Sequence, residues 1–151
     1  MRWGELIDSR PSHSPPCVPM KARVLLADDN PTVRDVADGL LQSVVEVVGN
    51  VADGKSLIEA ATRLEPDLIV TDISMPVLNG IEAAKQLKEL HCRAKVVFLT
   101  VHVDSDFIGA GLNVGACGYV VKPRMATDLV PAVREVLAGR MFVSPIARQN
   151  N

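Results

Sequence analysis

Five polar side chains sit where apolar runs of this chain end. Asp28 and Asp29 follow Val24-Leu25-Leu26-Ala27, Asp72 follows Leu68-Ile69-Val70-Thr71, Thr100 closes Val96-Val97-Phe98-Leu99, and Lys122 follows Gly118-Tyr119-Val120-Val121. Adjacent carboxylates at the rim of an apolar element repel one another, and burial adds to the cost, so a cation is expected beside them. Hard oxygen ligands of this kind suit magnesium, which keeps several waters and completes its shell with phosphate. With Asp28 and Asp29 on such a cation, Asp72 can stay ionised and attack phosphorus as a carboxylate nucleophile. Phosphoryl transfer needs mainly positioning and neutralisation of the equatorial oxygens, which magnesium, the Lys122 ammonium and the Thr100 hydroxyl can supply.

Each feature alone has a plainer explanation. Adjacent aspartates before a helix are commonly caps and dipole partners. Thr100 alone is a strand residue, Lys122 a solvated charge. Their joint occurrence at the ends of four apolar runs is what points to chemistry, and it requires elements that bring four strand ends to one rim.

Those elements are legible in the patterning. Short apolar runs alternate with helical periodicity from Lys21 onward, the signature of βα units around a parallel sheet. Strands are expected near 23–27, 46–52, 67–71, 95–100 and 118–121, with helices near 31–43, 54–64, 80–90, 104–114 and 127–138. Asn30 or Asp29 caps the first helix with Pro31 in its first turn, and Gly115 and Gly139 end the fourth and fifth. Pro131 is placed in the opening turn of the last helix, where its missing N–H costs least. Gly109 and Gly111 make the fourth helix the weakest, each costing about 0.5–1 kcal/mol relative to alanine. The fold class is α/β, a flavodoxin-like (βα)5 doubly wound parallel five-stranded sheet of order 2-1-3-4-5. In that order the ligand crevice opens beyond the carboxyl ends of strands 1 and 3, where Asp28, Asp29 and Asp72 fall.

The 151 residues fit one domain, and 48% hydrophobic with 3% aromatic composition describes a core of Val, Leu, Ile and Ala. A net charge of −2 disfavours a general nucleic-acid surface. Cys17, Cys92 and Cys117 have no metal-ligand or redox spacing and read as reduced thiols, and no segment reaches membrane-spanning length. The expectation is a soluble cytoplasmic protein with no membrane partner. Residues 1–20 are read as a flexible extension because residues 9–19 are rich in proline and serine. Met20 offers an alternative natural start, which N-terminal sequencing would decide. Residues 21–139 form the domain and 140–151 a C-terminal tail or the start of a linker.

Taken together, Leu26-Ala27-Asp28-Asp29-Asn30, Thr71-Asp72-Ile73-Ser74-Met75-Pro76, Asn79-Gly80, Leu99-Thr100 and Gly118-Tyr119-Val120-Val121-Lys122-Pro123 resemble the receiver domain of bacterial two-component response regulators, over about Lys21 to Gly139. The resemblance implies that Asp72 accepts a phosphoryl group from a sensor histidine kinase. It implies that Asp28, Asp29, Asp72 and the Ser74 backbone carbonyl bind Mg2+. Thr100 would swing to the phosphoryl oxygens and Tyr119 follow it inward, switching the surface of the fourth helix, fifth strand and fifth helix. Lys122-Pro123 is a cis peptide in many members. Ser74 and His102 occupy the two positions that tune acyl-phosphate hydrolysis, and Val101 is bulkier than the small residue usual there. Homodimers form on phosphorylation in many relatives, through the first and fifth helices or the fourth-helix face, and the charges here do not choose between these. Ala138 to Pro145 resembles the exit of NarL/FixJ-type receivers into a LuxR-type helix-turn-helix. No recognition helix follows before Asn151, so this chain alone is not expected to read nucleic acid, whether it is an excised domain, a truncation or a stand-alone receiver. Such a domain transfers a phosphoryl group to and from its own aspartate and is not a turnover enzyme.

Three other readings compete. A pseudo-receiver has the same fold and acts through protein contacts without phosphorylation. A flavodoxin-type mononucleotide site wants a glycine- or serine-rich turn after strand 1, and Asp28-Asp29-Asn30-Pro31 would repel that phosphate. An aspartate-nucleophile phosphatase wants an acid two residues after Asp72, where Ser74 stands. His13 and His91 have no evident chemical partners in the sequence.

Overall fold

Val24 and Leu26 pack on one side of the first strand and Leu25 and Ala27 on the other, because successive side chains of a strand point to opposite faces. Both faces must therefore be covered, and the chain alternates strands with helices to do so. The computed structural model describes residues 21–101, 108–110 and 113–145. Its elements are β1 (Arg23–Ala27), α1 (Pro31–Leu41), β2 (Glu46–Val51), α2 (Gly54–Leu64), β3 (Leu68–Thr71), α3 (Gly80–Glu89), β4 (Lys95–Thr100), β5 (Gly118–Val121), α5 (Met125–Leu137) and β6 (Phe142–Val143). Helical backbone at residues 108–110 and 113 marks α4, whose other residues lie outside the described set. The sheet is parallel, in the order β2-β1-β3-β4-β5-β6.

Leu41, Leu129, Val133 and Val136 close one face, from α1 and α5. Leu57, Ala60, Ala61, Ala83 and Leu87 of α2 and α3 close the other beneath β1 and β3, and Ile73, Ala84, Ile108 and Tyr119 continue it beneath β4 and β5. Each fully buried Leu, Val or Ile is worth about 1.5–3 kcal/mol of transfer free energy. The opposite, amino edge of the sheet is held by cations on helix C-termini: the Arg23 guanidinium donates to the Leu64 and Glu65 carbonyls (2.6 and 3.2 Å), and Lys95 Nζ to Val136 (3.1 Å). The last carbonyls of a helix lack the usual i+4 donor, and the helix dipole favours positive charge there.

Three expectations change. The sheet gains a sixth strand from a stretch assigned to the tail; Phe142 and Val143 pair with Gly118 and Tyr119. The last helix starts at Met125, because the 3-10 turn Lys122–Arg124 runs directly into it, so Pro131 falls at the seventh residue rather than in the opening turn. Pro131 is exposed, where water can reach the Thr127 carbonyl left without its N–H. The Lys122–Pro123 peptide is trans, since no cis bond occurs among the described residues. Asn30, not Asp29, caps α1, accepting from Thr32 N and Val33 N. Gly115 and Gly139 take the positive φ expected of helix ends (92° and 87°), and Gly139 N–H to Val136 O with Arg140 N–H to Glu135 O completes a Schellman pair.

Asp128, on the buried face of α5, ties the carboxyl edge together. It accepts from Arg124 Nε (2.9 Å) and Ser144 Oγ (2.8 Å). Burial pushes its carboxyl up, but the hydrogen bonds from Arg124, Ser144 and Thr127 outweigh that and hold it below the ordinary 3.8. A carboxyl lowered on folding contributes stability above its unfolded value and loses it as pH falls through the folded one. Asp128→Asn is therefore expected to cost on the order of 1–3 kcal/mol near neutrality. Urea melts of both proteins from neutrality down through pH 3 should show that gap closing in acid; a gap independent of pH would contradict this assignment.

Candidate active site at the carboxyl edge of the sheet

The site is built by strands that stop at the same level. The Asp28 N–H donates to Val51 O (3.0 Å) and the Asp72 N–H to Ala27 O (2.9 Å), so both aspartates are still held by sheet-like hydrogen bonds just past the ends of β1 and β3. Asp28 and Asp72 are buried (3% and 5% exposed), whereas Asp29 faces solvent. One carboxylate oxygen from each of the three lies within 4.8 Å of the others. Lys122, arriving from the end of β5, places its Nζ 2.8 Å from Asp28 Oδ2 and 3.0 Å from Asp72 Oδ2.

The two contacts are not equivalent. The ammonium donates to Asp72 Oδ2, but its approach to Asp28 Oδ2 is a charge contact that leaves that buried oxygen without a directed hydrogen bond. Asp28 Oδ1 is engaged by the Asn30 N–H at 2.8 Å. Burial above all raises the Asp28 carboxyl over its ordinary value, and the Asp72 charge adds to this, against the opposing pull of Lys122 and Asn30. Burial also works against the Lys122 ammonium, yet its close contacts with Asp28 and Asp72 and their opposite charge prevail and hold it above 10.5. Two buried carboxylates share one ammonium beside an exposed third, and one buried acceptor lacks a directed donor. This donor set fits a hard divalent cation.

The remaining expected residues distribute around this centre. Thr100 ends β4 fully buried, pairs with Val121 in register, and shares the sheet face of Phe98, Tyr119 and Val121. Tyr119 is also fully buried, its ring edge-on to Phe98 at a centroid distance of 6.4 Å. Ser74 lies exposed in the loop after β3, its N–H a long 3.4 Å from Asp72 Oδ1. Val101 is 62% exposed. His102, expected to tune hydrolysis, lies outside the described residues, as do residues 1–20.

Sequence reasoning missed five contributing residues. Arg34 Nη1 donates to the Asp28 carbonyl at 3.0 Å, fixing the start of the acidic loop. Ser144, fully buried, donates to Asp128 and accepts from the Val121 N–H. The Arg124 and Asp128 spacing of four is a readable pair signal; the Ser144 contact has none. Val77 adopts φ 70° while the Leu78 N–H donates to Pro76 O (2.7 Å), which defines a γ-turn that a β-branched residue enters only under strain. Val77 is 77% exposed, so its side chain contributes little packing. Val77→Gly is therefore expected to be more stable than Val77→Ala by about 1 kcal/mol in urea melts, the reverse of the usual order. Equal stabilities would mean that the turn is not strained.

Comparison with known proteins agrees with this geometry. The response regulator receiver domain family matches residues 24–134. The response regulator GacA of Pseudomonas viridiflava is 36% identical over 130 residues, 84% of this chain and 61% of that protein. A LuxR-family two-component response regulator from Aurantimonas sp. SI85-9A1 superposes with a TM-score of 0.82 at 32% identity, over 86% of this chain and 94% of that one. The isolated receiver domain of RcsB from Salmonella enterica serovar Typhimurium, in the presence of the phosphomimetic BeF3-, gives 0.80 at 27% identity, over 86% and 98%. The chain spans between 54% and 61% of the length of the curated relatives it matches. With the strand order, the acidic cluster and the lysine contact in place, the chain belongs to the response regulator receiver domain family.

Proposed function

We propose that this chain is a phospho-acceptor receiver in which Asp72 takes a phosphoryl group from a sensor histidine kinase. The observation that carries this reading is the convergence of Asp28, Asp29 and Asp72 within 4.8 Å, with Lys122 Nζ 3.0 Å from Asp72 Oδ2. A carboxylate oxygen of Asp72 attacks phosphorus; the bond from phosphorus to the donor imidazole nitrogen breaks, and that nitrogen keeps the electron pair. Asp28, Asp29 and Asp72, with the Ser74 backbone carbonyl, would hold Mg2+. When bound it neutralises charge on the phosphoryl oxygens. Lys122 keeps an ammonium against the same oxygens, and Thr100 supplies a hydroxyl from the end of β4. Ser74, two residues after the acceptor in sequence, and His102, two residues after Thr100, set the rate of return to water, so the domain acts on its own aspartate and not as a turnover enzyme.

The output proposed is a rearrangement of the α4, β5 and α5 surface through Thr100 and Tyr119. Their burial on the sheet face that carries Ile108 of α4 supports this route. Phosphorylation is proposed to promote a homodimer. The unit of action is residues 21–139, with the exit beyond it. No helix among the described residues is long and apolar enough to cross a membrane, and a cytoplasmic setting is proposed from the histidine-kinase partnership.

The test is intact mass after incubation with acetyl phosphate and magnesium, beside a chelator control. One acid-stable, hydroxylamine-labile phosphoryl group that requires magnesium is the expected result. No gain, together with Thr100 and Tyr119 NMR signals unmoved by magnesium and beryllofluoride, would sink the reading and leave a pseudo-receiver that works through protein contacts alone.

A further inference from the structure

β6 is only two residues long, yet it brings the departing chain against the turn that carries Lys122. The Ser144 N–H donates to Tyr119 O (2.8 Å), the last ladder bond of this edge. Where the ladder stops, the Ser144 hydroxyl takes over and accepts from the Val121 N–H at 3.2 Å. Val121 immediately precedes Lys122. The same hydroxyl donates to Asp128 Oδ2 at 2.8 Å, and that oxygen also accepts from Arg124 Nε at 2.9 Å. Arg124 Nη2 and Thr127 Oγ1 complete the cluster on Asp128 Oδ1 (3.3 and 3.2 Å). The turn Lys122–Arg124 is thus gripped at its entrance by Ser144 and at its exit by Asp128, and a single oxygen joins the two grips. Ser144 is completely buried and Asp128 is 5% exposed, so water does not compete for the two hydrogen bonds of the Ser144 hydroxyl.

We propose that Ser144 and Asp128 are positioning residues for Lys122, and that they couple the chain leaving through β6 to the phosphoryl-transfer site. This rests on the receiver reading of Asp72 and Lys122 given above. The ammonium reaches its two carboxylates at 2.8 and 3.0 Å, distances that a turn free to shift by an ångström would not keep. Coupling between two sites is reciprocal. Tension on residues beyond Pro145 is transmitted through Ser144 to Lys122, and a phosphoryl group that draws Lys122 toward Asp72 pulls on Ser144 and on whatever follows it.

The experiment compares Ser144→Ala, Ser144→Thr, Lys122→Ala and the Ser144→Ala/Lys122→Ala double variant of the full chain, with a melting temperature for each. The rate of phosphoryl gain from acetyl phosphate with saturating magnesium should fall on the order of tenfold in Ser144→Ala. It should recover in Ser144→Thr, which keeps the hydroxyl, and Ser144→Ala should add no further loss to Lys122→Ala. Losses that add in the double variant mean that Ser144 does not act through Lys122, and they overturn the proposal. A second readout needs no phosphoryl transfer: the side-chain carboxyl 13C signal of Asp72 should move in Ser144→Ala but not in Arg140→Ala, which breaks only the exposed Glu135 pair. An unmoved Asp72 signal in folded Ser144→Ala also overturns it. Asp128→Asn should give the same pattern and stands in if Ser144→Ala fails to fold. A wild type that gains no phosphoryl group fails the receiver reading alone, and the carbon signal still decides the coupling.

Discussion

Asp72→Ala is expected to gain no phosphoryl group from acetyl phosphate under any magnesium concentration, and to melt no lower than the wild type. The first half follows from how the three carboxylates are engaged. Asp28 commits Oδ1 to the Asn30 N–H and turns Oδ2 toward Lys122, while Asp29 stands exposed, beyond the Lys122 contact. Asp72 gives Oδ2 to the ammonium, while its Oδ1 meets the Ser74 N–H at a long 3.4 Å, a weak hold on the oxygen that would attack. The second half follows from charge. Two buried carboxylates now share one ammonium, and removing Asp72 leaves Asp28 and Lys122 balanced and relieves the repulsion that adds to burial in raising the Asp28 carboxyl. Intact mass and thermal melts read both halves. A mutant that still gains a hydroxylamine-labile group would move the acceptor to another carboxylate, with Asp28 the first to replace. A mutant that melts well below the wild type would mean that the Asp72 contact with Lys122 outweighs the repulsion.

The strand ends, and with them Asp28, Asp72, Thr100 and Lys122, were legible in the sequence because buried parallel strands are continuous apolar runs whose limits are marked by the first polar residue. Helices α1 to α3 were legible for the complementary reason, a 3.6-residue period, opened in α1 by the expected Asn30 cap; Asp53 and Asn79 cap α2 and α3 in the same way. What escaped has no period to read. Phe142 and Val143 are too few to alternate, and they pair only because the chain turns back at Gly139. The Ser144 contact with Asp128 spans sixteen residues and exists only once that return is made. The left-handed φ of Val77 contradicts its residue type and is imposed by the loop it closes, as are those of Glu65 and His91 at helix ends where glycine is the usual choice. Pro131 was misplaced because a Lys-Pro-Arg turn that flows into a helix gives no cap signal.

Gly80→Ala should be severely damaging, because the loop that carries Asp72 closes directly on it. A Cβ at Gly80 would overlap the Asp72 carbonyl oxygen and lie 2.9 Å from the carbonyl carbon and 3.1 Å from Ile73 Cα, all backbone atoms that no rotamer change can clear. The Gly80 N–H meanwhile donates to Ile73 O at 2.7 Å, so glycine and loop are held together and not merely adjacent. The other side of the loop is closed by the same device, since a Cβ at Gly54 would overlap Leu78 O and lie 2.7 Å from its carbon. Either α3 must move away, pulling the Asn79 cap off the Glu82 N–H, or Asp72 must leave the place where Lys122 meets it. Overpacking against backbone that cannot yield is expected to cost at least about 3 kcal/mol. Gly39→Ala makes the contrast, since nothing lies within 4 Å of its Cβ inside α1, and it should gain about 0.5–1 kcal/mol from helix propensity. Urea melts of the two variants therefore move in opposite directions. The same substitution type gives both signs because Gly39 serves only the helix, while Gly80 makes room for the backbone of the acceptor loop.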